Sequence, residues 1–337
     1  MMAFFWGFYL ALAQPWPIIS PPGATHTYPQ SIEPQNWLHE ANSGWAKIPS
    51  GNIEHLKQQC LYTYNYIKKH PQQSIGVFSS LGFHKNDVQK TLQHIIKTID
   101  TNPQKLEEVA WWESNFRLFW LNDLSKAAPE KIRLTKYVVY QLQGSEKKTP
   151  QYNHALWEIP SDAIFRTRYT RQDILGGVLE KEPSAKPLVW IRKADVFEAQ
   201  MQGSIEIQFP NGSKKLFNVH VSNEFPYQKG VHSEKQKRYW FFREVDHVYG
   251  WGEEEKVPIT PMVSFAGDID NFGLGQVLWI DSSQGVSLGV LADTGGAFQP
   301  NLGQFDWFIG FAQNKHHFLR IARTLPPYAK VGFLLPR

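Results

Sequence analysis

Val286-Ser-Leu-Gly-Val-Leu-Ala-Asp293-Thr-Gly-Gly-Ala297, a short spacer, then Gln304-Phe-Asp306-Trp-Phe-Ile-Gly310: these residues carry the densest pattern in the chain. Ser287 to Ala292 reads as a buried strand that delivers Asp293 into a turn containing Gly295 and Gly296. A second carboxylate, Asp306, follows between Phe305 and Trp307. Apolar neighbours flank both acids, and loss of water favours the protonated form of a carboxyl, which is one way to build a general acid.

The surrounding 337 residues suffice for two domains or one large core. Hydrophobic residues make up 42% and charged residues 20%, a globular balance. Aromatics reach 14%, with 13 Trp. Their flat faces suit sugar rings, but most are expected in the core. The net charge is +4, and the one dense basic run, Lys235 to Arg238, is no nucleic-acid footprint. That run reads as a solvated linker, or as a contact for an acidic polymer. Cys60 is the only cysteine, so neither an internal disulfide nor a cysteine metal site is expected. It shares an apolar helix stripe with Leu56, Leu61, Tyr64 and Ile67.

Ala3 to Leu12 is an apolar run ending in Ala11-Leu12-Ala13, similar to a signal peptidase site, so residues 1–13 are expected to be an export segment. No Lys or Arg precedes Lys47, which leaves open an upstream start or a buried amino-terminal segment. No cysteine follows the run, so no lipid anchor is expected there. Residues 14–35 form an extended lead-in. Helical patterns follow at Glu54–Lys69, at a stretch capped by Asn86 or Asp87 with Val88, Leu92, Ile95, Ile96 and Ile99 on one face, and from Pro103 toward Trp120, the helical part ending near Asp123. The period then changes. Strands are expected at Arg133–Gln143, Ala155–Ile159 and Leu188–Arg192. A hairpin with Ile205, Ile207 and Phe209 on one face turns at Asn211-Gly212 and returns through Leu216–Val221. Further strands are expected at Val263–Ala266, Val277–Ile280 and Val331–Leu335, with a helix at Phe311–Arg323. The class is α+β, mainly β, with barrels suggested by the many short strands.

Several of these segments, in this order, resemble the membrane-bound lytic transglycosylase A (MltA) family with its three-aspartate domain. Ala199-Gln-Met-Gln-Gly-Ser204 is similar to the family's Gln-Gly-Ser-Gly segment, and Phe225-Pro-Tyr227 to its Pro-Tyr. Val257-Pro-Ile-Thr-Pro261 and Ser264-Phe-Ala-Gly-Asp268 resemble the entry to the first aspartate, with Gly273-Leu-Gly275 after it. Ala292-Asp-Thr-Gly-Gly-Ala297 matches the second and Phe305-Asp306 the third.

The resemblance implies a double-psi β-barrel, split in sequence, with a second β-domain inserted and a glycan groove between them. The inserted domain would span 135–239; the barrel would take residues 14–134, helices included, and 240–337. The implied activity is non-hydrolytic cleavage of peptidoglycan between N-acetylmuramic acid and N-acetylglucosamine, leaving a 1,6-anhydro product. The partners implied are glycan strands and wall-remodelling proteins, the chain acting as a monomer at the cell wall or outer membrane of the periplasm. No cofactor and no metal are implied. Departures fall on the insert. The family's Thr-Gly-Tyr-Tyr becomes Thr135-Lys136-Tyr137-Val138, Ile205 replaces a glycine, and a long helix shrinks to Val231–Arg238.

Glycosidic cleavage needs an acid for the leaving oxygen and a nucleophile for the anomeric carbon. If the substrate's own 6-hydroxyl attacks, one carboxyl serves as acid and then base. The resemblance gives that role to Asp306. Asp293 orients the saccharide, with Gly295 and Gly296 letting the backbone approach it, or else caps its own turn. Gln202 and Ser204 are candidate sugar contacts or strand-end hydrogen-bonding groups. Thr135 and Tyr137 are further candidates, and Asp268 is expected to support the site from behind. Asp293-Thr-Gly also matches the aspartic peptidase triplet, but the second triplet such enzymes need is missing. The His spacing fits no metal motif, and no phosphate-binding glycine loop occurs. The non-enzymatic alternative is a peptidoglycan-binding protein on the same fold.

Overall fold

The computed structural model describes residues 16–17, 31–32, 34–48, 50–71, 81–160, 163–226, 228, 230–252, 255–295, 298 and 301–337. The expected export segment, most of the lead-in, Tyr227 and Gly296 lie outside the described residues. The architecture is mixed α and β and mainly β. Two compact units divide the chain, one of Met1–Arg133, Gly267–Phe305 and Tyr328–Arg337, the other of Leu134–Ala266 and Asp306–Pro327.

In the first unit an antiparallel ladder runs, in spatial order, through Gly285–Asp293, Val277–Ser282, Tyr328–Pro336, Phe116–Leu121 and Leu38–Glu40. Val277, Leu278, Trp279 and Ile280 are all buried, so this strand is covered on both faces. The cover includes helices Ile53–Lys69 and Lys85–Thr101, which pack on each other and on the ladder. Their buried stripes, Leu56, Cys60 and Ile67 on one and Val88, Leu92, Ile95 and Ile99 on the other, keep the helical spacing read from the sequence. Gly275 lets the ladder's leading turn seat on both helices. Its φ is +88°, and a Cβ there would lie 2.6 Å from Ile67 Cδ1 and 3.0 Å from Val88 Cγ1. Trp112, fully buried, donates its indole N–H to Leu106 O at 2.8 Å and meets Trp279 edge-on. Among the described residues eight tryptophans (37, 111, 112, 120, 157, 190, 279 and 307) are buried, so most of this aromatic surface is core.

The strand Ile132–Gln143 belongs to the second unit from Leu134 on and there runs parallel to Ser204–Gln208, which forms the expected hairpin with Lys214–Ser222. Gly212 turns the hairpin at φ +84°, and Asn211 Oδ1 accepts from Ser213 N and Oγ. Ile205, Ile207 and Phe209 are buried on one face, as their alternation predicts. Trp240–Val245 extends this ladder, and His154–Glu158 pairs with Lys186–Ile191.

Three local expectations need correction. The third helical pattern stops at Asn115, because Phe116–Leu121 is a strand paired residue by residue with 332–336. A short apolar run does not reveal its period, and here strand pairing decided it. Phe311 and Ala312 belong to the strand Gln304–Ala312, and the helix begins only at Lys315, where Asn314 Oδ1 accepts from His317 N at 2.9 Å. The helix Lys85–Thr101 starts one residue before Asn86, with His84 at its cap. A helix over Lys193–Gln202, ending at Gly203 with φ +76°, was not expected at all.

Candidate functional site

The candidate residues fall into two groups, one in each unit. In the second, Asp306 sits on the strand Gln304–Ala312, opposite Ala266 in an antiparallel pair with Ser264–Ala266. Its chain neighbours Phe305 and Trp307 are buried, while Asp306 itself is half-exposed. Trp307 stacks on Phe265 with centroids 5.2 Å apart, on the strand face opposite to Asp306. Tyr137 packs its ring at 5.2 Å from Phe308, which shares a strand face with Asp306. Thr135 and Tyr137 lie on one face of their own strand.

Lys136, noted from sequence only as a lost glycine, is a member of this group. Its ammonium donates to Pro326 O at 2.6 Å, Leu134 O at 3.0 Å and Leu325 O at 3.4 Å. Burial lowers its pKa, and the Asp306 carboxylate acts in the opposite direction. The cation and the carboxylate therefore feel each other's field. Gln202 ends its helix with Oε1 accepting from Val138 N at 3.3 Å, which ties it to the Tyr137 strand. Ser204 is buried, and its Oγ accepts from Asn218 Nδ2 at 2.7 Å.

In the first unit Gly267 joins the other two aspartates. Its N–H donates to Asp293 O at 3.0 Å, and its own carbonyl accepts from Thr294 Oγ1 at 2.8 Å. A Cβ on Gly267 would lie 2.8 Å from Phe305 Cδ1, so the close approach requires glycine. Asp293 Oδ1 accepts from Thr294 N at 2.8 Å. At Gly295, by contrast, an added Cβ would make only ordinary contact, 3.8 Å from Phe298, so protein packing does not demand a glycine there.

Asp268 is 1% exposed and caps the short helix Ile269–Phe272. Its carboxyl accepts from Asn271 N at 3.1 Å, Asn271 Nδ2 at 2.7 Å and Asn301 N at 3.0 Å. Burial pushes its pKa up to about 6, against the pull of these three donors. Asn271 and Asn301 fix the aspartate in place, and no sequence pattern announced Asn301. Among the described residues no group of three or more His, Cys, Asp or Glu is placed to hold a metal ion, and no helix is long and apolar enough to cross a membrane.

Residues 133–231 match the family model of the MltA specific insert domain. The expected resemblance to the MltA family holds for this insert segment. Solved structures of MltA-type proteins share the fold over nearly their whole lengths. A membrane-bound lytic murein transglycosylase from Agrobacterium tumefaciens superposes with TM-score 0.67 at 16% identity, covering 89% of this chain and 98% of its own. E. coli MltA with bound chitohexaose gives 0.62 at 16%, covering 94% and 99%. MltA from Neisseria gonorrhoeae gives 0.60 at 16%, covering 96% and 98%. Identity this low establishes the fold alone. No curated protein matches the sequence.

Proposed function

We propose that this chain is a peptidoglycan lytic transglycosylase in which Asp306 is the single acid and base. The observation that carries the reading is the MltA insert-domain match together with a carboxylate held on a strand between two buried aromatic residues. The proton on Asp306 goes to the glycosidic oxygen as the bond to the anomeric carbon of N-acetylmuramic acid breaks. The 6-hydroxyl of the same sugar then bonds to that carbon and returns its proton to Asp306. No water is consumed, and the product is a 1,6-anhydro sugar. Positioned proton transfer of this kind contributes ~10²–10⁴-fold.

In this reading the barrel is double-psi and split in sequence, with 135–239 as the shortened insert. Asp293 with the backbone at Gly295 and Gly296 orients the saccharide, Gln202, Thr135 and Tyr137 touch the glycan from the insert side, and Ser204 acts through Asn218. Asp268 holds the turn behind Asp293. The place of work is the periplasm, at the wall or the outer membrane, and the partners are glycan strands and wall-remodelling proteins.

Asp306→Asn keeps the shape and removes the transferable proton. It should abolish release of soluble muropeptides from purified sacculi while sacculus binding stays within about twofold of wild type. A variant that keeps more than about a tenth of wild-type turnover removes Asp306 from this role. One observation favours the alternative of a non-catalytic peptidoglycan binder: Ser204 is buried with its hydroxyl taken up by Asn218, so the insert side offers one sugar contact fewer. Wild-type protein that binds sacculi and releases nothing selects that alternative.

A further inference from the structure

A cavity of about 600 Å³ opens in the first unit, and none of the candidate-site residues lines it. Its size falls in the ~300–1,000 Å³ range of small-molecule sites. One wall is a polar stripe of the helix Lys85–Thr101. Gln93, His94, Lys97 and Thr101 recur there at helical spacing, on the other side from the buried stripe Val88, Leu92, Ile95 and Ile99. The opposite wall brings Lys105, Trp111 and Asn115 from the turn Pro103–Glu107 and the short helix Val109–Asn115. The Trp112 hydrogen bond to Leu106 O pins that turn, and Trp111 meets Trp112 edge-on with centroids 4.7 Å apart.

The lining combines two cations with fixed hydrogen-bonding groups. Among the described residues no Asp or Glu lines the cavity. The acid nearest each lysine in sequence is engaged elsewhere, Asp100 by Lys57 and Glu107 by Lys47. Among the described residues Lys97 and Lys105 have no carboxylate partner. His94 lies one turn before Lys97, its ring 5.5 Å from Trp111 and 5.2 Å from Phe116. Burial lowers its pKa and the Lys97 charge lowers it further, so at neutral pH the ring offers one donor and one acceptor. Gln93 donates from Nε2 to Tyr64 OH at 2.5 Å, and Asn115 from Nδ2 to Trp111 O at 2.6 Å. Each amide is thereby anchored through its nitrogen and keeps its carbonyl oxygen as an acceptor. A simple anion would satisfy the lysines alone. A ligand that satisfies the whole lining adds hydroxyl or amide donors for Gln93, Asn115 and His94.

We propose that this cavity binds an anionic saccharide, its carboxylate held by Lys97 and Lys105 and its hydroxyl or acetamido groups by Gln93, Asn115 and His94. That the sugar is the muramic acid of peptidoglycan, which makes the cavity an accessory contact for the wall, rests on the function proposed above.

The test titrates N-acetylmuramic acid, N-acetylglucosamine, glucuronic acid and acetate against the full chain while the His94 ring resonances are followed by NMR. N-acetylmuramic acid should shift them saturably and bind about tenfold more tightly than neutral N-acetylglucosamine. Lys97→Gln/Lys105→Gln, at two exposed positions, should remove that tenfold preference. Lys90→Gln, an equal charge change on the same helix outside the cavity, should leave it intact. Resonances that no sugar moves, or a double variant that binds N-acetylmuramic acid as wild type does, overturn the site. Acetate that binds as tightly as the acidic sugars overturns the saccharide and leaves a plain anion. Glucuronic acid that binds more tightly than N-acetylmuramic acid keeps the anionic saccharide and overturns its assignment to the wall. Wild type that releases nothing from sacculi while N-acetylmuramic acid binds here overturns the proposed catalysis and keeps the site.

Discussion

Asp268→Asn should exchange a buried, titrating carboxyl for an amide that does not titrate. Burial raises Asp268 from 3.8 to about 6. A folded-state pKa above the unfolded one means that the group's contribution to stability is complete below the unfolded value and is lost as pH rises through the folded one. A difference of about two units corresponds to about 3 kcal/mol of stability lost between strongly acidic and mildly alkaline solution, about 2 kcal/mol of it between pH ~4.5 and ~8. The amide cannot accept at both positions, and with its NH2 at the Oδ1 position it gives up the single bond from Asn271 N and keeps the two from Asn271 Nδ2 and Asn301 N. That costs about 1 kcal/mol at every pH. Wild type should therefore be the more stable protein near pH 4 and the variant near pH 8, with a crossing between. Urea unfolding followed by tryptophan fluorescence at a series of pH values measures the difference, in which other titrations cancel. A difference that stays level within about 0.5 kcal/mol over that range refutes the reasoning.

Lys136→Met removes the cation whose field reaches Asp306 and keeps the length of the chain. A cation favours the ionised carboxylate, so without it the protonated acid persists to higher pH. The alkaline limb of kcat/KM for sacculus digestion should move up by about half a unit to one unit; an unmoved limb removes Lys136 from any electrostatic role. Gly275→Ala sets a side chain at φ +88° and 2.6 Å from Ile67 Cδ1. It should lower unfolding free energy by about 2–4 kcal/mol, read by urea denaturation, and a loss under about 0.5 kcal/mol would show that the turn is not pressed onto the helices.

The legible parts of the chain were those written in local pattern. The stripes of Ile53–Lys69 and Lys85–Thr101, the Asn211-Gly212 hairpin and the buried strand before Asp293 all have a period or a turn signature that one sequence displays. Phe116–Leu121 does not, because an apolar run beside a helix reads as its continuation until its partner 332–336, more than two hundred positions away, is known. The strand carrying Asp306 was hidden in the same way by its pairing with Ser264–Ala266. Within the site the acids stood out beside glycines and aromatics. Lys136 and Asn301 did not, since their roles come from carbonyls and a carboxyl brought up by distant segments.

The most direct measurement is mass spectrometry of the soluble products that the purified protein releases from sacculi. The account predicts muropeptides ending in 1,6-anhydro-N-acetylmuramic acid, released by wild type and absent with Asp306→Asn. Muropeptides with a free reducing end, one water heavier, would mean that water and not the 6-hydroxyl attacks, and would contradict the single-acid mechanism.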